Sequence, residues 1–385
     1  MKKLLAVLLI AVIAFLSILV ATDRAYLITA ARTIWLRGQT DAGIHDFTVQ
    51  PLRAIEAGEP QPWPKHKNYN RVPLSEEILE HHQTYQSTAF LIAKDGELIS
   101  EHYFNGSHAE DVSSIWSISK SFITFAILKA IQDGLIDNIN DPVKKYIPEW
   151  PVEQSPTLTL HHLGSMSAGL YWKEMDHSPF SLIAKFTFHD DISRLSVHEL
   201  PATGVPGDIQ HYNSGGTQLL GTTLARVLNG KTISDYISES FWKPLGMQQD
   251  GYYVLDKKGG NERVFGGIVA AAKDVAKFGQ LFLNEGQWNG NRILAKQHID
   301  MIKQMPYNNK TYGYGIWVGE YNGDPVYNMQ GFLGQFNIIY PKENLLITRL
   351  GHQMLMKEDL ESSHPQVDIL LQEALRIVAE NEKMD

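Results

Sequence analysis

The spacing of hydrophobic positions changes several times along the chain, and each change marks an element. Leu4 to Ala21 is an unbroken apolar run with Ser17 as its only hydroxyl, preceded by Lys2 and Lys3. As a helix it spans about 27 Å, close to the hydrocarbon thickness of a bilayer. The pattern predicts a signal-anchor over residues 1–21 that meets the lipid bilayer through residues 4–21. A cleaved signal peptide is the alternative, but the run is longer than a usual signal core and "LVATDRA" is a poor cleavage site. A helix buried in a soluble fold fits badly, because nothing polar interrupts the run. The two lysines hold the N-terminus in the cytoplasm and send the rest outward. That places it in the periplasm of a bacterial-type inner membrane, or in the medium if the segment is removed.

Residues 22–74 have no apolar period and are punctuated by Pro51, Pro60, Pro62, Pro64 and Pro73, which predicts a connecting segment. Ser75 is a candidate N-cap for a first helix. "TAFLIAKDGELISEHYF" gives two β-rich runs joined by Asp95–Gly96, a hairpin signal. From Phe122 to Ile131 the chain is apolar nearly all round, so a buried helix is expected there, with Gly134 at its end. Helices and loops dominate from about 135 to 265. "VFGGIVAAAKDVAKFGQLFLNEG" reads as a glycine turn and an amphipathic helix. Residues 312–352 read as antiparallel strands with a reversal at Pro341–Asn344, and 365–380 as a last helix. Hairpins, then helices, then sheet and helix make an α+β chain over residues 75–385, whose sheet joins distant segments.

Composition narrows the function. The chain of 385 residues carries a net charge of −9, which argues against a nucleic-acid partner, since phosphate binding needs a basic surface. Cysteine is absent, which excludes disulfides, thiolate metal sites and a thiol nucleophile. His81–His82 and His161–His162 are adjacent pairs without metal-ligand spacing and read as structural or surface residues. No G-x-S-x-G occurs, which disfavours an α/β-hydrolase. Asn105–Gly106, Asn229–Gly230, Asn289–Gly290 and Asn322–Gly323 are turn signals.

The candidate chemistry lies in "SIWSISKSF". Ser117 and Lys120 stand three positions apart, so on a helix they share a face about one turn apart. A serine hydroxyl needs an adjacent base to attack at neutral pH. A lysine serves if burial lowers its pKa, and the neighbours of Lys120 are apolar or hydroxyl-bearing. The competing reading is a capping serine beside a snorkelling lysine. Ser240–Lys243 repeats the spacing, and about one match arises by chance in such a chain.

Context separates the two matches. "SISKSF", "DGLIDNINDPVKKYIPEW", "LTLHHLGSMSAGLYW", "PGDIQHYNSGGTQLLG", "YISESFWKPLGM" and "MQGFLGQF" occur in that order. Together they resemble the serine β-lactamase-related superfamily over about residues 85 to 375. The similarity is to the branch of class C β-lactamases, related esterases and 6-aminohexanoate-oligomer hydrolases. It implies a β-lactamase/penicillin-binding-protein-like fold, an antiparallel sheet flanked by helices with an all-helical subdomain. It also implies that Ser117 is acylated, that Lys120 is its proton partner, and that Tyr212 takes and returns a proton, either as phenolate or through Lys120. The backbone N–H groups of Ser117 and Phe332 would form the oxyanion hole, with Ser214, Gln330 and Gly331 contacting substrate. Ser240–Lys243 would carry no chemistry. No metal or organic cofactor is implied.

Two departures bear on substrate. Ser214 stands where class C enzymes have asparagine, with Asn213 one place early, and Met329–Gln330–Gly331 stands where β-lactamases have Lys-Thr-Gly. Methionine cannot hold the carboxylate of a β-lactam, although Gln330 or Arg349 could supply another donor. The resulting expectation is a membrane-anchored serine hydrolase acting on a small ester or linear amide. A D-Ala–D-Ala carboxypeptidase or β-lactamase is the enzymatic alternative, and a penicillin-recognising sensor without turnover is the alternative of another class.

Overall fold

The computed structural model describes residues 1–151, 153, 155–307, 309–355 and 364–384. Its strands in chain order are β1 (Leu52–Ile55), β2 (Ser87–Lys94), β3 (Glu97–Tyr103), β4 (Val112–Ser114), β5 (Gly251–Val254) and β6 (Ile268–Ala271). They continue as β7 (Gln287–Trp288), β8 (Asn291–Arg292), β9 (Trp317–Tyr321), β10 (Asp324–Gly331), β11 (Gln335–Tyr340) and β12 (Leu345–Gly351).

Six of them form the main antiparallel sheet in the order β3-β2-β12-β11-β10-β9, so the early hairpin is joined to the late strands. The β2–β3 turn is the expected one, with Asp95 at φ 53° and Gly96 at φ 82°. Both faces of the sheet are covered, which explains why β2 and β12 read as nearly continuous apolar runs. On one face Phe90, Ile92, Ile338 and Ile347 pack on the Pro365–Glu382 helix and on Ile78 of the Glu76–Thr84 helix. On the other, Leu91, Ile339 and Leu346 meet the Ile118–Gln132 and Ala272–Leu283 helices. Ser75 caps its helix as the sequence indicates, accepting from Ile78 N–H at 3.2 Å. The Ile118–Gln132 helix runs through the core between the sheet and the helical part, and Phe122 stacks on Phe278 at 3.7 Å. Apart from β5, the elements described within 135–265 are helices.

Residues 22–74 depart from the expected connecting segment. β1 pairs with β5 at the edge of a second, four-stranded sheet. Ile55 and Trp63 enter the main core, and Trp63 Nε1 donates to Gly96 O at 2.8 Å. Closer to the N-terminus, the Tyr26–Thr33 helix lies on the Leu182–Phe188 helix through Tyr26, Ala30 and Phe188. Short strands and extended proline-rich chain bury side chains without a repeating period, so periodicity alone passes over them. The Lys2–Ala21 helix is long and apolar enough to cross a membrane, and only Leu19 in it is buried.

Ile55 is fully buried, so Ile55→Ala should lower stability by about 2–5 kcal/mol. Urea unfolding of the variant checks this, and an unchanged midpoint would mean the segment is not packed in solution.

Candidate active site

Ser117 opens the Ile118–Gln132 helix as its N-cap residue. Trp116 before it is held at φ 48°, a left-handed conformation uncommon for a bulky residue, and this turn lifts the serine into a cleft. Lys120 sits one helical turn on and is 1% exposed. Its Nζ donates to Ser117 Oγ at 2.7 Å and to the Phe265 carbonyl at 2.8 Å. Burial lowers the Lys120 pKa to about 8, and the Glu174 carboxylate, 4.0 Å from Nζ, opposes the shift. A lysine so placed loses its proton far more readily than a solvated one and can accept the serine proton.

Tyr212 lies on the other side of the ammonium, which is 4.9 Å from its ring centroid. Its ring stacks on Trp317 at 5.1 Å and meets Tyr312 edge-on at 5.7 Å. Asn213 fixes the local backbone: its Oδ1 caps Gly216 N–H at 2.8 Å and its Nδ2 donates to Leu170 O at 3.0 Å. Burial pushes the Tyr212 phenol well above its ordinary pKa, aided by Tyr312 and Glu174 and opposed by a hydrogen bond with Ser117. The phenol therefore carries its proton at neutral pH. Burial thus favours the neutral phenol over the phenolate.

The third wall comes from the end of β10. Gln330, Gly331 and Phe332 line the cleft with Ser117, and the Trp116 and Phe332 rings meet edge-on at 5.8 Å. A Cβ on Gly331 would lie 2.2 Å from the Ile115 carbonyl, so only glycine lets this strand end approach the serine turn so closely. Arg349 holds the turn that follows. Its Nη1 donates to Leu333 O at 3.0 Å and Gly334 O at 2.7 Å, its Nη2 to Tyr85 O at 2.6 Å, and its Nε to Ser87 Oγ at 2.9 Å.

Several sequence expectations are corrected here. Ser214 does not line the cleft: it is fully buried and its hydroxyl donates to Glu174 Oε1 at 2.6 Å. Met329 is fully buried in the core beside Asn337, because side chains alternate along β10 and Gln330 takes the cleft side. Lysine at 329 would therefore enter the core without reaching substrate. Arg349, with its hydrogen bonds spent on the turn, is no substitute donor. Ser240 lines a separate cleft and Lys243 pairs with Glu56 at 3.2 Å, so the second match is remote from this chemistry. Of the histidine pairs, His82 Nδ1 bonds Ser87 Oγ and His162 Nδ1 bonds Thr159.

Glu174 is the site residue that spacing did not reveal. It accepts from Trp172 Nε1 at 2.6 Å and from Ser214, and it is the carboxylate facing Lys120. "YWKEM" has no period and nothing in it points to Lys120, so only the assembled fold brings Glu174 to the lysine. The cleft encloses about 300 Å³. Residues 30–41 form one wall through Ala30, Ile34 and Trp35, against Ile183 and Phe188 of the helical part. Among the described lining residues there is no lysine or arginine.

A serine at a buried helix start, hydrogen-bonded to a desolvated lysine beneath a tyrosine, defines a serine-hydrolase site. The chain belongs to the Beta-lactamase family, whose model matches residues 76–371. It is 25% identical over 242 residues to the 6-aminohexanoate-dimer hydrolase of Paenarthrobacter ureafaciens, covering 60% of this chain and 60% of that relative's length. In fold it is similar to a candidate 6-aminohexanoate-dimer hydrolase from Bacillus anthracis (TM-score 0.73, 21% identity, 89% of this chain and 93% of the other). It is also similar to a family VIII carboxylesterase (TM-score 0.62, 16% identity, 82% and 99%).

If Glu174 stabilises the Lys120 ammonium, Glu174→Gln should ease its deprotonation. The acid limb of the pH–rate profile would then move to lower pH, and an unmoved limb would leave Glu174 without electrostatic influence on the lysine.

Proposed function

We propose that the protein is a membrane-anchored serine hydrolase that cleaves a small ester or linear amide through an acyl-enzyme on Ser117. The anchor is the Lys2–Ala21 helix, and the catalytic domain faces away from the cytoplasm. One observation carries the reading: Lys120 Nζ stands 2.7 Å from Ser117 Oγ in a site dry enough to lower the lysine pKa.

Neutral Lys120 takes the Ser117 proton as Oγ attacks the substrate carbonyl. The backbone N–H groups of Ser117 and Phe332 receive the developing oxyanion, aided by the positive end of the helix. Tyr212 relays the proton from Lys120 to the departing alcohol or amine. Water then attacks the acyl-enzyme, the same groups act in reverse, and the acid is released. Gln330 and Gly331 border the bound substrate.

The walls support an uncharged group beside the scissile bond. A carboxylate there would need a cationic or strong hydrogen-bonding partner once water is excluded. The described lining offers no lysine or arginine, Met329 faces the core and Arg349 is committed elsewhere, which leaves only the uncharged Gln330 amide of the donors considered. Penicillins and D-Ala–D-Ala peptides both carry such a carboxylate, which sets the carboxypeptidase and β-lactamase alternatives behind the ester and amide reading.

Mass spectrometry during turnover of a short-chain ester should show an acyl adduct on Ser117. Ser117→Ala should lose the adduct and the activity, while Ser240→Ala keeps both. Tyr212→Phe should fold normally and lose about 10²–10⁴-fold in turnover. Activity surviving in Ser117→Ala would remove the assignment, and an adduct that is never released would favour the sensor.

A further inference from the structure

The wall of the cleft and the apolar N-terminal helix are one continuous piece of chain. The Lys2–Ala21 helix buries only Leu19, so its apolar side chains have no partner in the fold itself. Two residues beyond it, Asp23 is fastened to the helical part of the domain. Its carboxylate meets Lys185 Nζ at 2.7 Å, Arg194 Nη2 at 2.8 Å and His189 Nε2 at 3.0 Å. Tyr26 OH adds a hydrogen bond to Pro179 O at 3.0 Å. The next helix has eight residues and carries the chain only about 12 Å. It delivers Ala30, Ile34 and Trp35 to the cleft. A Lys2–Ala21 helix seated in a membrane would therefore hold the catalytic cleft within a short helix of it, close to the headgroup layer.

The surface around the mouth has the chemistry of that layer. Ile28, Arg32, Trp35 and Leu36 are all exposed, Trp35 to 55% and Leu36 to 80%. Arg24 lies over the ring of exposed Phe180 at 5.5 Å. Aromatic and aliphatic side chains mixed with arginines suit a lipid interface. At the rim Asp41 and His177, 3.9 Å apart, have side chains 61% and 66% exposed. The apolar lining includes buried Ala30, Phe188 and Phe265 and half-buried Ile183.

We propose that this cleft takes the acyl chain of a membrane glycerolipid ester, which enters directly from the bilayer. The proposal rests on the serine-hydrolase reading and on the N-terminal helix remaining in the membrane. Ser117 Oγ attacks the ester carbonyl, the ester C–O bond breaks, and the glycerol hydroxyl leaves with the proton passed through Lys120 and Tyr212. Water then cleaves the acyl-enzyme, so one lipid and one water give one lysolipid and one fatty acid. The acyl chain lies between the 30–35 wall and Ile183 and Phe188, while the headgroup stays at the Asp41–His177 rim.

The test uses the full chain reconstituted in vesicles of dioleoylphosphatidylethanolamine, dioleoylphosphatidylglycerol and a little dioleoylglycerol. Oleate release is measured beside turnover of a water-soluble butyrate ester. Both activities are expected, and both should vanish in Ser117→Ala. Leu36→Asp changes an exposed residue outside the cleft lining. It should lower oleate release about tenfold, the scale of replacing one interfacial apolar contact by a charge, and leave butyrate turnover unchanged. Butyrate turnover without oleate release overturns this proposal and spares the hydrolase reading. Loss of neither activity in Ser117→Ala overturns both. Equal oleate release by wild type and Leu36→Asp shows that the lipid does not enter across this face.

Discussion

Everything at the site depends on keeping one lysine amine out of water while giving it two acceptors. Lys120 reaches Ser117 Oγ and the Phe265 carbonyl from inside the core. Taking an ammonium out of water is costly, and the cost falls when the group gives up its proton. Burial thus favours the neutral amine, the form able to take a proton from the neighbouring hydroxyl. The rest of the arrangement preserves that condition. The Ile118–Gln132 helix is apolar on nearly every side, so water does not follow the lysine inward. Trp317 and Tyr312 pin Tyr212 above the amine, and Arg349 and Gly331 hold the β10 end against the serine turn. Glu174 sets the opposite limit, keeping the ammonium from becoming prohibitively unstable.

The local parts of this design were legible in the sequence, because their signals lie within a few residues. The Asp95–Gly96 hairpin, the Ser75 cap and the all-apolar helix after Ser117 each follow from spacing and turn chemistry. The resemblance to the family supplied Tyr212 and the β10 strand, which no local pattern would have paired with Ser117. What escaped was set by long-range packing. Glu174 meets Lys120, and Ser214 meets Glu174, only after distant loops assemble. The core-facing side chain of Met329 is not legible from its matching position, which does not say which face of the strand a side chain takes. The 22–74 segment reads as a connection in sequence because extended, proline-rich chain can fill a core edge without any period, as Ile55 and Trp63 do.

Machinery and specificity are separated in space. Ser117, Lys120 and Tyr212 come from the helix start and a capped loop that the family model covers. Ala30, Ile34 and Trp35 come from a segment that lies before the matched residues 76–371. A conserved reaction can thus be aimed at new substrates by changing what leans over the cleft. In this chain that wall is fastened through Asp23, two residues beyond the apolar helix, so the helix and the shape of the cleft are mechanically linked.

The most direct measurement is the titration of Lys120 itself, followed by NMR in protein labelled at lysine side chains and assigned with Lys120→Arg. The buried-base account predicts a midpoint near about 8. A midpoint at or above the ordinary lysine value of 10.5 would mean that the amine stays charged beside Ser117, and would contradict its role as the base.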